Sequence, residues 1–127
     1  MEKKILIVDD EVHICALLSQ VLEELTDAGV ELLVAQDGEE GLRLALAEKP
    51  DLIFLDVMLP KLDGYQICES IKQSPHGGET HVIMLTARGQ AIDKQRAQEV
   101  QANEYVTKPF DPDLVLHKAS MILGVQI

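Results

Sequence analysis

The sequence predicts an α/β fold: a doubly wound, five-stranded parallel sheet in the order 2-1-3-4-5 with five helices. Three observations predict it. Short continuous apolar runs recur along the chain, as strands covered on both faces require. Stretches with helical apolar spacing alternate with those runs, and strict alternation implies a parallel sheet with helices on both faces. The length of 127 residues suits one domain, expected over residues 1–127, that can bury roughly 65–70% of its unfolded surface.

The elements follow in order. The first strand is ILIV (5–8). Ile14, Leu17, Leu18, Val21, Leu22 and Leu25 then form one apolar stripe, the buried face of a first helix. ELLVA (31–35) is a second, weaker strand. Asp37 is the N-cap of a second helix, with Glu40 three residues on as in a capping box. Gly41, Leu42, Ala45 and Leu46 are its inward face. LIFL (52–55) is the third strand, and a third helix over 64–73 buries Ile67 and Ile71. SPHGGE (74–79) reads as a turn before the fourth strand, VIML (82–85). The fourth helix, near 90–101, is poorly anchored, with Ile92 and Val100 its only large apolar residues. EYVT (104–107) is the fifth strand. The last helix opens with Asp111 as cap and Pro112 in the first helical position. Val115, Ala119, Ile122 and Leu123 face inward from it.

Composition narrows the function. The net charge of −11 argues against direct contact with nucleic acid, which needs Lys and Arg against phosphates. It argues equally against an anionic membrane surface. No apolar run approaches the ~18 residues of a spanning helix, and the N-terminus lacks the pattern of a secretory signal. A cytoplasmic location is expected. With no Trp and only two Tyr and two Phe, a base-stacking platform is not expected. Cys15 and Cys68 lack CxxC spacing and read as small buried thiols. His13, His76, His81 and His117 show no ligand spacing and read as surface or packing residues.

The chemistry lies at the strand ends. In the order 2-1-3-4-5 the chain reverses between strands 1 and 3, and ligands bind in the crevice outside their carboxyl ends. Strand 1 ends in Asp9 and Asp10, strand 3 in Asp56, strand 4 in Thr86 and strand 5 in Lys108. Each is unremarkable alone, since a single Asp after a strand is most often a turn residue. Jointly they place three carboxylates, a hydroxyl and an ammonium at one crevice. Crowded carboxylates resist ionisation together. A hard divalent cation relieves the repulsion, and a site with few carboxylates, waters and phosphate oxygens suits Mg²⁺. Aspartate can itself be a nucleophile that forms an aspartyl phosphate. Asp56, alone on the strand beside the acidic pair, is the candidate. Lys108 would balance the anion and Thr86 would donate a hydrogen bond to it.

The motifs VDDE (8–11), DVMLPKLDG (56–64), TA (86–87) and KPF (108–110) resemble the response-regulator receiver domains of two-component signalling. Among these the sequence is most similar to receivers of the winged-helix transcriptional regulators. The resemblance spans the chain and implies a flavodoxin-like fold and a phosphorelay switch. Asp56 would accept a phosphoryl group from a sensor histidine kinase or phosphotransfer protein. Asp9, Asp10, Asp56 and the Met58 backbone carbonyl would hold Mg²⁺. Thr86 and Lys108 would contact the phosphoryl group, and Thr86 with Tyr105 would form the switch. The Lys108–Pro109 bond would be cis. Met58 and Arg88 would flank the phosphoryl group and tune its lifetime, with slow loss expected. The fourth helix, fifth strand and last helix would form the output surface, acting on a downstream protein or domain and also serving homodimerisation.

The sequence departs from the family at two places. Gln101-Ala102 replaces a usual Gly-Ala, and Asn103 stands where an acidic residue is usual, while Lys118 keeps the basic partner. The chain ends about three residues past the last helix, as a stand-alone receiver or part of a longer regulator. The domain is expected to catalyse only its own phosphorylation and dephosphorylation. The alternative is a metal-dependent phosphohydrolase with an aspartyl nucleophile. Against it, the first-strand carboxylates are adjacent rather than spaced DxD, and no insertion could enclose a substrate. A nucleotide or flavin binder would want a Gly-rich or Ser/Thr-rich loop after strand 1, where the acidic DDEVH stands instead.

Overall fold

The structure, a computed structural model, describes residues 2–87 and 94–127. Five strands, β1 (Lys4–Val8), β2 (Glu31–Ala35), β3 (Leu52–Asp56), β4 (His81–Ala87) and β5 (Glu104–Lys108), form one sheet. The order is β2-β1-β3-β4-β5, and every neighbouring pair is parallel. Among the described residues six helices accompany them: α1 (Val12–Val21), α2 (Glu23–Asp27), α3 (Gly38–Glu48), α4 (Gly64–Gln73), α5 (Lys94–Val100) and α6 (Pro112–Leu123). A 3-10 turn, Gly77–Glu79, lies within the expected SPHGGE turn.

The alternating direction of strand side chains sorts the core into two layers. Ile5 and Ile7, Leu52 and Phe54, and Ile83 and Leu85 pack with Ile14, Leu18, Leu25, Val115 and Ala119 of α1, α2 and α6. Leu6 and Val8, Ile53 and Leu55, and Val82 and Met84 pack with residues of α3, α4 and α5. β1 and β3 are therefore apolar on both sides, which explains their unbroken apolar runs.

Six helices rather than five result from a break in the first. Leu22 adopts φ −91° and ψ 7°, and α1 and α2 meet there. No Gly or Pro marks the position. The break leaves both Leu22 and Leu25 fully buried, while Leu17, expected inside, is largely exposed. Leu46 is a second correction: it is exposed, while the buried residues of α3, which packs on β1, β2 and α4, are Gly38, Gly41 and Ala45. Asp37 accepts the Glu40 N–H at 2.8 Å. The reciprocal capping box forms instead at Asp63 and Gln66, at the start of α4. The first part of the expected fourth helix, with Ile92, lies outside the described residues. Its end keeps a left-handed turn without glycine, because Gln101 itself takes φ 60°. That conformation costs a non-glycine residue about 1 kcal/mol.

Candidate functional site

β1 and β3 are hydrogen-bonded neighbours with Val8 beside Leu55, so Asp9 and Asp56 emerge side by side at the carboxyl edge. Both are buried. Asp9 Oδ1 accepts the Glu11 N–H at 2.9 Å, and Asp56 Oδ1 accepts the Met58 N–H at 3.0 Å. These short turns fix both carboxylates locally. Gly64 closes the loop after β3: its N–H donates to the Val57 carbonyl at 2.8 Å, and a Cβ there would run into the Asp56 carbonyl oxygen.

Lys108 arrives from the end of β5 and lies over this pair. Its Nζ is 2.9 Å from Glu11 Oε1, 3.2 Å from Asp9 Oδ2 and 3.6 Å from Asp56 Oδ2. One ammonium thus faces three carboxylates. Burial and the adjacent Asp9 carboxylate push the Asp56 carboxyl up to about 6, against the opposing Met58 N–H and Lys108. Burial would lower the Lys108 ammonium, but the Glu11 bond and the Asp56 and Asp9 charges raise it above its usual value.

The structure brings Asp9, Asp56 and Lys108 together. Asp10 is exposed. The carboxylate oxygens within 4.8 Å of one another belong to Asp9, Glu11 and Asp56. Sequence reasoning gave Glu11 no role, although its place one residue beyond the acidic pair was the available signal. Asp10 still stands close enough for its charge to raise Asp56. Thr86 is buried at the end of β4. Met58 is 66% exposed, so its backbone touches Asp56 while its side chain stands in solvent. Arg88 lies outside the described residues. The Lys108–Pro109 bond is cis.

Tyr105 pairs in register with Met84 on β4 and packs in the α3–α5 layer. Its hydroxyl is the one buried side-chain polar atom among the described residues without a hydrogen-bond partner. Burial pushes it up to about 12. Cys15 and Cys68 are buried free thiols, and the exposed His13 meets the rim of the acidic cluster, with Nε2 3.3 Å from Glu11 Oε2. A cavity of about 300 Å³ lies elsewhere, between α3 and α4 and lined by Leu46, Ile71, Pro75, His76 and Thr80.

A doubly wound sheet with acidic groups at its switch point matches known proteins throughout its length. Residues 5–120 match the response regulator receiver domain, and the chain belongs to that family. It is 46% identical over 123 residues to the alkaline phosphatase synthesis transcriptional regulatory protein PhoP of Bacillus subtilis (strain 168), covering 97% of this chain and 49% of that protein. The chain thus spans about half the length of the curated relatives it matches. A response regulator receiver domain protein from Methanospirillum hungatei JF-1 superposes with a TM-score of 0.83 at 30% identity, covering 98% of this chain and 95% of that one. The BeF3-activated receiver domain of DrrB gives a TM-score of 0.80 at 35% identity, covering 98% and 99%. The match is to a receiver domain, and the curated relatives are named as transcriptional regulators. Nothing in these matches supports the phosphohydrolase alternative. Among the described residues, no helix is long and apolar enough to cross a membrane.

Proposed function

We propose that Asp56 accepts a phosphoryl group from the phosphohistidine of a sensor kinase or phosphotransfer protein in a Mg²⁺-dependent reaction. The modified domain then alters its α5, β5 and α6 surface to control an output protein or domain. The observation that carries this reading is the buried Asp56 carboxylate beside Asp9, with the Lys108 Nζ 3.6 Å and 3.2 Å from them.

The donor set fits a hard divalent ion. The oxygens of Asp9, Glu11 and Asp56 lie within 4.8 Å of one another, and a cationic group, the Lys108 ammonium, already rests among them. Asp9, Asp10, Asp56 and the Met58 carbonyl would hold the ion. When bound, Mg²⁺ would supply positive charge to offset that of the carboxylate and phosphoryl oxygens. In the transfer, an Asp56 carboxylate oxygen forms the new P–O bond while the donor's P–N bond breaks. The electron pair of that bond stays on the imidazole nitrogen, which takes a proton from water. The Met58 N–H orients the acceptor by holding Oδ1. Lys108 would balance the added charge, and Thr86 would donate its hydroxyl. Inward seating of Tyr105 then follows movement of Thr86.

The names of the relatives point to transcriptional control as the output. This acidic domain itself would not touch DNA, and a further segment or partner would. Homodimerisation on the α5–β5–α6 face remains an expectation. Glu104 and Lys118, two charged residues of that face, pair within one chain at 2.6 Å, so a dimer would have to exchange or bypass that pair. The test is incubation with Mg²⁺ and acetyl phosphate, followed by intact-mass and peptide analysis. One phosphoryl group on Asp56, absent from Asp56→Asn, is expected. Modification elsewhere, or steady turnover of phosphomonoesters, would overturn the reading.

A further inference from the structure

We infer that Glu11 is a positioning residue: it draws the Lys108 ammonium off Asp56 and so keeps the acidic cluster open to the divalent ion. The inference rests on the Mg²⁺ and phosphoacceptor reading of the site. Four observations carry it. The nearest of Lys108's three acidic partners is Glu11 at 2.9 Å, while Asp56, at 3.6 Å, lies beyond hydrogen-bond range. The Glu11 backbone is anchored at the N-cap of α1: its N–H donates to Asp9 Oδ1 at 2.9 Å, and its carbonyl accepts from Ile14 and Cys15 at 3.1 and 3.2 Å. Its side chain makes no capping bond to the helix and reaches Lys108 instead. Its second oxygen, Oε2, lies 3.3 Å from Nε2 of the exposed His13.

The partners differ in how easily they are left. Asp9 and Asp56 are shut away from water, whereas the Glu11 side chain is 44% exposed. An ammonium that leaves Glu11 abandons a carboxylate that water can take over at small cost. One that leaves a buried carboxylate leaves an uncompensated charge. Glu11 is therefore a parking position. It holds the lysine while the ion enters and releases it when a phosphoryl group arrives on Asp56. Without that position the ammonium, which already bonds Asp9 at 3.2 Å, would close on Asp56 as well and compete with the ion directly.

The experiment is a Mg²⁺ titration of the whole chain followed by two-dimensional amide NMR at residues 8–11 and 56–58, with no phosphoryl donor present. Glu11→Asp keeps the charge and a good N-cap residue but is one methylene shorter. It is expected to weaken Mg²⁺ binding about three- to fivefold, with Glu11→Gln at least as weak. In a Lys108→Met background the Glu11→Asp change is expected to have no effect, because nothing remains to park. Wild-type affinity in Glu11→Asp, or an undiminished loss in the Lys108→Met background, would overturn the inference. The latter would make Glu11 a direct influence on the ion. If the wild-type chain binds no Mg²⁺, it is the underlying site reading that fails.

Discussion

Arg96 of α5 grips Asp63, the residue that caps α4, with two parallel hydrogen bonds: Nη1 to Oδ2 at 3.0 Å and Nη2 to Oδ1 at 3.2 Å. The same guanidinium lies 4.7 Å from the centre of the Tyr65 ring. α5 has few large apolar anchors, Val100 being the buried one, so this polar clamp supplies attachment that packing does not. Arg96→Ala is expected to destabilise the domain by about 1 kcal/mol. Amide exchange in α5 should quicken more than in α1. Arg96→Lys should restore little, since a point charge cannot reproduce the fork. Exchange in α5 that is slower than in α1 in the unmodified chain would refute the link between sparse packing and mobility.

Tyr105 presents the opposite case, a buried hydroxyl with no partner. Burying such a group costs about 1–3 kcal/mol when it goes unbonded. Tyr105→Phe is expected to raise stability in urea by up to about 1 kcal/mol and to favour the inward ring. A destabilised Phe variant would mean that the hydroxyl has a partner in solution.

The clasp of His81, Glu104 and Lys118 gives an acid-limb prediction. Glu104 Oε1 accepts from Lys118 Nζ at 2.6 Å, and Oε2 lies 2.7 Å from His81 Nε2. The Lys118 bond, with help from His81 and against burial, holds the Glu104 carboxyl below its usual 4.5. A carboxyl depressed in the folded state stabilises fully above its unfolded value and loses that contribution as pH falls through its folded one. Glu104→Gln should therefore lower stability at pH 7 by about 0.5–1 kcal/mol. The difference from the unmodified chain should shrink below pH 4.5. An equal difference at pH 3 and pH 7 in thermal melts would contradict the assignment.

Met58 offers its N–H to Asp56 but an apolar side chain to solvent. Slow hydrolysis of the aspartyl phosphate is expected, because neither a carboxylate nor an amide stands there to orient water in line. Met58→Asn should shorten the lifetime of the phosphorylated form several-fold, as followed by loss of radiolabelled phosphate. An unchanged or longer lifetime would sink this reading.

Much of this architecture was legible before folding. Continuous apolar runs gave β1 and β3 because both faces of those strands are covered, and Asp111-Pro112 marked the start of α6 because cap and first-turn preferences are local. The break at Leu22 was not legible. Its apolar stripe continues through without a break, and only the fit of Leu22 and Leu25 into one core layer reveals it. Leu46 misled for a related reason: helical spacing tells which residues share a face, but not how far around the helix its neighbours β1, β2 and α4 reach.

The carboxylates at the strand ends were likewise readable, since strand order and chain polarity carry Asp9 and Asp56 to one edge. The choice among their partners was not. Lys108 lies 99 residues from Asp9 and 97 from Glu11 along the chain, and no periodicity relates them. Sequence alone determined the strands, most of the helices and which carboxylates end the strands, because hydrophobic period and capping act over a few residues. Tertiary structure alone decided that Glu11, rather than Asp10, shares the ammonium with Asp9, because charge pairing falls off with distance in space and local pattern carries no record of that distance.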